Sequence, residues 1–364
     1  MTSSMHSKLS TLALAVALTA CGGGGSGSGA NAPGADLGST LPGDTSPGGS
    51  GGGAGTTPSS PIQTTVPAAN YAPGSGEAAV YALLNAERAR CGFGLLTQNN
   101  KLDLAAGDAV NYWKLRLQES DAAALGYAHI QDPDASGFTG RFPRDRAANH
   151  GFSGAVHESL VRQSASAPLP ESAEQTANRL ARALLGSVYH MHMLMRGHTN
   201  VGIAYASEIR SASDKYYYSV TLELGVPAGT GDQDSPDLRT YPCDGSAAAN
   251  AHFEPGEESP NPAPDLAENT IVGTPILLQS GIGTKLGVTS YTIAPASGGT
   301  AVAARVITAA NDVQLMIRSD NTAFLLPLSP LVAGQSYRVD ITVTIDAGAP
   351  ITRHFTFTPV DGGA

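Results

Sequence analysis

Three histidines fall within nine residues of the stretch SVYHMHMLMRGHTNVG, Ser187 to Gly202, and three methionines stand among them. Imidazole is a borderline metal ligand and the commonest general base, and thioether sulfur is a soft ligand. Three chemistries fit these residue types: a metal centre, a catalytic base, or one functional histidine among packing neighbours. Spacing narrows them. His190 and His192 are two apart, so on a helix they point away from each other. Met191, Met193 and Met195 alternate too, which predicts that some pack inward while others cover a rim. The other histidines between residues 76 and 225 are His129, His150 and His157. His157-Glu158 is followed by Ser-Leu-Val, so no HExxH is present, and linear spacing by itself shows no metal motif.

The elements that would position these residues are readable from periodicity. EAAVYALLNAERAR places Val80, Leu83, Leu84 and Glu87 at helical spacing, with Gly92 and Gly94 ending the helix. A second helix is predicted from Lys101 to about Gln118, with Leu102, Ala105, Ala106, Ala109 and Trp113 as its apolar stripe. A third is predicted from Ser172 to Tyr189. The period then changes to two in Val201–Tyr205 and Tyr216–Leu224, which read as strands. Helices with a small antiparallel sheet imply an α+β sandwich over residues 76–225. Residues 226–270 carry nine acidic residues and one arginine and lack periodicity, so they read as an acidic connector. Residues 271–364 alternate throughout. Val302, Ala304 and Val306, then Val313, Leu315 and Ile317, then Tyr337 to Ile345 and Thr352 to Thr358 predict an all-β, immunoglobulin-like sandwich of about seven short strands.

The first twenty residues belong to a different argument. Leu9–Ala20, LSTLALAVALTA, is too short to span a bilayer and ends in Leu-Thr-Ala-Cys, which resembles a bacterial lipobox. Residues 1–20 are thus expected to be a lipoprotein signal peptide, with Cys21 bearing the lipid that holds the chain to a membrane. Gly22 after the cysteine resembles the outer-membrane sorting pattern of Gram-negative lipoproteins, facing periplasm or cell surface. Residues 21–75 are rich in Gly, Ser and Pro. From Cys21 to Gly74 the only charges are Asp36 and Asp44, which is the composition of a flexible tether. In an oxidising compartment the two remaining cysteines, Cys91 and Cys243, can pair as a disulfide or stay as separate buried thiols. The net charge of −10 and the lack of a basic stripe exclude nucleic acid as a partner.

Several segments in order, LLNAERARCGFGLL, AHIQDPDASGFTGRFPRDRAANHGF, VHESL, LLGSVYHMHML and VGIAYA, resemble the CAP superfamily in its bacterial form. This is the family of cysteine-rich secretory, antigen 5 and pathogenesis-related-1 proteins, also called the SCP domain. The resemblance spans Glu77 to Gly225. It implies a three-layer α-β-α sandwich with a cleft of two histidines and two acidic residues. Carried onto this chain, the cleft comprises His129, Glu158 and His190, with Ser187 where the second glutamate of eukaryotic members stands. The chain departs from the family at Leu184, where tryptophan is usual, and at Met191-His192-Met193, where Arg-Ala-Asn is usual.

Two readings remain open at this stage. His129, His190 and Glu158 form a His₂Glu set that could hold one divalent metal, zinc first, and so support a metal-dependent hydrolase acting on peptide or cell-wall material. The same groups without metal form a polar network inside a non-enzymatic envelope module that binds a lipid, glycan or protein. The missing second glutamate favours the module. A serine hydrolase built on Ser187 would need a nucleophile elbow that the sequence lacks.

Overall fold

The computed structural model describes residues 15–19, 59–121, 124, 129–246 and 248–362. Cys21 and the tether up to residue 58 lie outside the described residues. The architecture is mixed α+β, with helices on both faces of one sheet, a two-stranded ribbon, and two further sheets toward the C-terminus.

The strands β1 (Ala15–Thr19), β2 (Ser60–Pro61) and β3 (Thr97–Gln98) are short. Helix α1 (Gly76–Arg90) starts at Ser75, whose hydroxyl accepts the Ala78 N–H, and buries Val80 and Leu84. Gly92 and Gly94 follow it at φ of 75° and 76°, as the helix-stop reading requires. Helix α2 (Asn100–Glu119) is capped by Asn99 and buries the predicted stripe, Leu102, Ala105, Ala106, Ala109 and Trp113. Helix α3 (Pro143–Asn149) leads into β4 (Gly154–Ala165). The predicted third helix is two helices. Helix α4 (Ala173–Leu185), opened by a Ser172/Gln175 capping box, stops at Gly186, and α5 (Val188–Met195) starts afresh. Strands β5 (Asn200–Arg210) and β6 (Tyr216–Pro227) follow.

Strands β3, β5, β6 and β4 sit side by side, and β6 runs antiparallel to both β5 and β4. Alternation along β6 sorts the two faces. Tyr218, Val220, Leu222 and Leu224 join Val80, Leu84, Leu180 and Leu184 in one core. Tyr217 packs on Trp113 and Leu117 of α2 on the other face, and the polar Ser219, Thr221 and Glu223 share that face. Gly202 lets α2 lie close, because a Cβ there would stand 2.0 Å from the Leu102 carbonyl carbon.

Residues 226–270 are pinned to both halves. Strand β7 (Gln233–Asp234) pairs with β2, β8 (Arg239–Tyr241) extends a later sheet, and β9 (Glu258–Ser259) pairs with β1. The Cys91–Cys243 disulfide is formed, with Cα atoms 5.5 Å apart.

The rest of the chain supplies β10 (Ile276–Gln279), β11 (Leu286–Pro295), β12 (Ala304–Thr308), β13 (Thr322–Pro327), β14 (Tyr337–Ile345) and β15 (Ile351–Phe357). One sheet runs β12-β13-β10-β8 and the other β11-β14-β15. Alternate residues of β13 and β10 face opposite ways. Ile276, Leu278, Ala323 and Leu325 pack on Val339, Ile341 and Phe355 of the second sheet. Leu277, Phe324 and Leu326 join the core that holds α5. Helix α5 is therefore covered by sheet on more than one side, which explains why its sequence is apolar nearly all round.

The expected strand through Val313, Leu315 and Ile317 is instead a loop. The Asp312 carboxylate accepts the N–H groups of Gln314, Met316 and Ile317, and Leu315 has φ of 55°. Local side-chain-to-backbone bonds have replaced ladder bonds there, and Val313 and Leu315 are left exposed.

Candidate functional site

Helix α3 brings Arg146 under the sheet, where cross-strand register sets Glu158 of β4 opposite Glu223 of β6. Arg146 Nη2 donates to Glu158 Oε2 at 2.5 Å and to Glu223 Oε1 at 3.4 Å. His129 Nδ1 lies 2.8 Å from Glu158 Oε1, and the His129 carbonyl accepts from Arg146 Nη1 at 3.3 Å. Both carboxylates and the guanidinium are almost wholly enclosed. Burial pushes the Glu158 carboxyl up, but the Arg146 charge and the His129 contact outweigh it and hold it at about 2. Glu223 goes the other way. Burial, then the negative charge of Glu158, raise it well above the usual carboxyl range despite Arg146. Each of the two facing carboxyls opposes the other's ionisation, which favours the protonated form of Glu223. Glu223 is a buried acid that the sequence reading passed over. Its signal was the polar residue at position 223 within the apolar YYYSVTLEL.

The second histidine of the expected cleft sits elsewhere in the bonding scheme. Ser187 Oγ and His190 Nδ1 are 3.0 Å apart, so this neighbouring pair does come together. Their further partner is Glu258 of β9. Glu258 accepts the N–H groups of Val188, Tyr189 and His190 at 2.9, 2.8 and 3.1 Å, and lies 2.9 Å from His190 Nδ1. This carboxylate caps α5 and meets the partial positive charge of its N-terminus. Tyr189 adds a bond from its hydroxyl to Asp312, joining α5 to the loop after β12. No local motif announces Glu258. The clue is that the α5 N-terminus has no side-chain cap from Ser187, so its buried donors need an acceptor from afar.

The divalent-metal expectation is corrected here. Among the described residues no group of three His, Cys, Asp or Glu side chains is arranged to hold a metal ion. Glu158 is taken up by the Arg146 cation and His129, while the Nδ1 of His190 faces Glu258 and Ser187. A metal-dependent hydrolase built on His129, His190 and Glu158 loses its centre with that correction.

His192 and His198 are placed by packing. His192 stands edge-on to Phe324 with ring centres 6.3 Å apart, and burial, then Arg196, lower it to about 4. His198 is fully buried, with Nε2 3.0 Å from His157 Nδ1, and burial holds it well below the usual imidazole range. His150 pairs with Asp108 at 2.8 Å.

An open space of about 410 Å³ lies where α5, β7 and β8 meet the C-terminal sheets. His192 reaches its wall, beside Arg239, Asp234, Gln279, Arg318 and Asp320. Arg239 is itself buried and paired with Asp234 at 2.9 Å.

No family model matches the chain, and no curated protein does. Among solved structures, the copper resistance protein PcoC from Escherichia coli matches at 22% identity, with a TM-score of 0.20, over 34% of this chain and 99% of that one. A DUF4426 family protein from Pseudomonas aeruginosa PAO1 matches at 11% identity, with a TM-score of 0.22, over 35% of this chain and 94% of that one. Likeness at this level carries no argument about function.

Proposed function

We propose that the chain is a non-enzymatic binding module of the bacterial envelope, holding a polar, hydroxyl-rich ligand in the pocket where its two folded parts meet. In this reading residues 76–225 are a CAP-type sandwich and residues 271–364 an immunoglobulin-like one. Cys21 carries the lipid, and residues 21–75 tether the module to an outer membrane. The observation that carries the reading is the pocket's lining, where Arg318, Asp320 and Gln279 mix donors with acceptors at balanced charge. A lipid tail would leave such groups without partners, at a cost of about 1–3 kcal/mol each. Glycan hydroxyls both donate and accept, and so match them. The buried Arg146–Glu158–Glu223 group supports the non-catalytic side, since both oxygens of the Glu158 carboxylate are already bonded, to His129 and Arg146.

The test is calorimetric titration of the purified mature protein with a panel of neutral and amino-sugar oligosaccharides. Arg318 and Asp320 are exposed, so the double variant R318A/D320A should fold normally. It is expected to bind at least about tenfold more weakly, the loss of one to two charge-assisted hydrogen bonds. Equal binding by the variant, no binding by the wild type, or cleavage of the ligand would overturn the proposal.

A further inference from the structure

A lipid on Cys21 would fix one end of the tether, and the fold shows where the other end arrives. The Ser60 N–H of β2 donates to the Asp232 carbonyl at 2.9 Å, and Ser60 pairs with Gln233. Asp232 and Gln233 both line the pocket of about 410 Å³. The chain leading from Cys21 therefore joins the folded part at the pocket's edge. About 40 residues separate the two points. A glycine-rich chain of that length spans roughly 35 Å, less than the roughly 50 Å diameter of a compact chain of about 300 residues. The pocket side is then the side held nearest the membrane.

Two loops on this side carry exposed aliphatic side chains. Ile282, in the turn between β10 and β11, lines the pocket and is 51% exposed. Val313 and Leu315, in the loop after β12, are each 67% exposed. That loop reaches the pocket through Arg318, whose Nε donates to the Leu315 carbonyl at 3.3 Å. Its backbone is fixed from within, because Asp312 accepts the N–H groups of Gln314, Met316 and Ile317 and the Tyr189 hydroxyl. Leu315 stands at φ of 55°, a conformation that asparagine or glycine adopts more readily. The loop thus holds two aliphatic side chains in water on a defined scaffold. The charges beside them are mixed in sign. Arg318, Asp320 and Lys285 line the pocket, and the Lys285 N–H donates to the Asp346 carboxylate at 2.7 Å. All four residues are exposed, two cations among two carboxylates.

We infer that Ile282, Val313 and Leu315 dock the folded part on the zwitterionic phospholipid surface to which the chain is anchored. The inference rests on the lipid at Cys21. The aliphatic side chains leave water for the boundary between headgroups and acyl chains. The two cations and two carboxylates match a headgroup layer that offers one phosphate and one ammonium per lipid. Docking in this way sets the pocket mouth beside the headgroups.

The test uses the acylated mature chain reconstituted in phosphatidylethanolamine–phosphatidylcholine vesicles, with lipids brominated near the headgroup end of the acyl chain as contact quenchers. Trp113, the single native tryptophan, is buried and supplies an unquenched background. Leu315→Trp and, separately, Val313→Trp place a reporter in the loop, and each should lose emission when brominated lipid replaces ordinary lipid. Adding Ile282→Asp and Val313→Asp to the Leu315→Trp chain should lower the docked-to-free ratio read from the quenching at least about tenfold. Two unquenched reporters, or quenching that the aspartates leave unchanged, would overturn the inference. A blue shift that grows with protein density while the bromines have no effect would place a second copy on the loop, and would overturn it too. Intact mass separates the two levels: a chain without acyl groups removes the anchor and the docking together, whereas an acylated chain with unquenched reporters removes the docking alone.

Discussion

Replacing Glu223 by glutamine removes an ionisable group while keeping its shape and its place beside Arg146. In the folded protein burial and the charge of Glu158 raise the Glu223 carboxyl well above its ordinary value of 4.5. A group raised in this way contributes stability that is fully present below 4.5 and is lost as pH rises towards the folded value. Through that window the unfolded chain releases a proton that the folded chain retains, so stability falls by about 1.4 kcal/mol per pH unit. Glutamine is neutral at every pH and cancels this slope. The E223Q variant should therefore match wild type near pH 4.5 and gain on it by about 1.4 kcal/mol for each unit above, up to the folded value. Trp113, the single tryptophan, is buried against Tyr217 of the same strand and reports unfolding directly. Urea titrations followed by its fluorescence at pH 5, 6 and 7 give the comparison, and other titrating groups cancel in the difference. A constant difference across that range would refute the assignment of the retained proton to this pair.

Two further outcomes follow from the bonds described. Glu258→Ala leaves three buried N–H groups of α5 without their acceptor, and should cost about 3–5 kcal/mol; amide exchange should quicken first at residues 188–190, and unchanged exchange there would contradict the capping role. Replacing both Cys91 and Cys243 by serine frees a loop of 152 residues. Chain entropy sets the loss near 5 kcal/mol at most, read as a lower denaturation midpoint, and an unshifted midpoint would remove the disulfide from the stability argument.

Much of the helical frame was legible because its signals are local. The α1 stripe with its glycine stop and the α2 stripe both reappear as buried faces. Alternation in Tyr337–Ile345 likewise marked β14. What could not be read was set by distant partners. Periodicity ran the third helix on to Tyr189, but Glu258, some seventy residues later, supplies the acceptor that lets α5 begin anew at Val188. Alternation at Val313, Leu315 and Ile317 looked like a strand until Asp312 gathered the backbone donors of that loop. At the candidate site, the spacing of His129, Glu158 and His190 carried no information about Arg146, whose charge decides the state of Glu158.

The Ser187–Met195 stretch shows why residue types alone overstate chemistry. Its histidines and methionines were candidates for ligands because soft groups were dense there. Density has a packing cause: α5 is wedged between the first sheet's core and the β10–β13 face, so Val188, Met191, Leu194 and Met195 must be apolar. His190 takes part in the cap, and His192 lies against Phe324. Both partners come from beyond residue 225. The first 225 residues therefore lack the cap of α5, the ring beside His192 and the wall formed by Leu277 and Leu326. A fragment ending there would expose an apolar helix with buried donors unmet. The chemistry of this stretch belongs to the full chain.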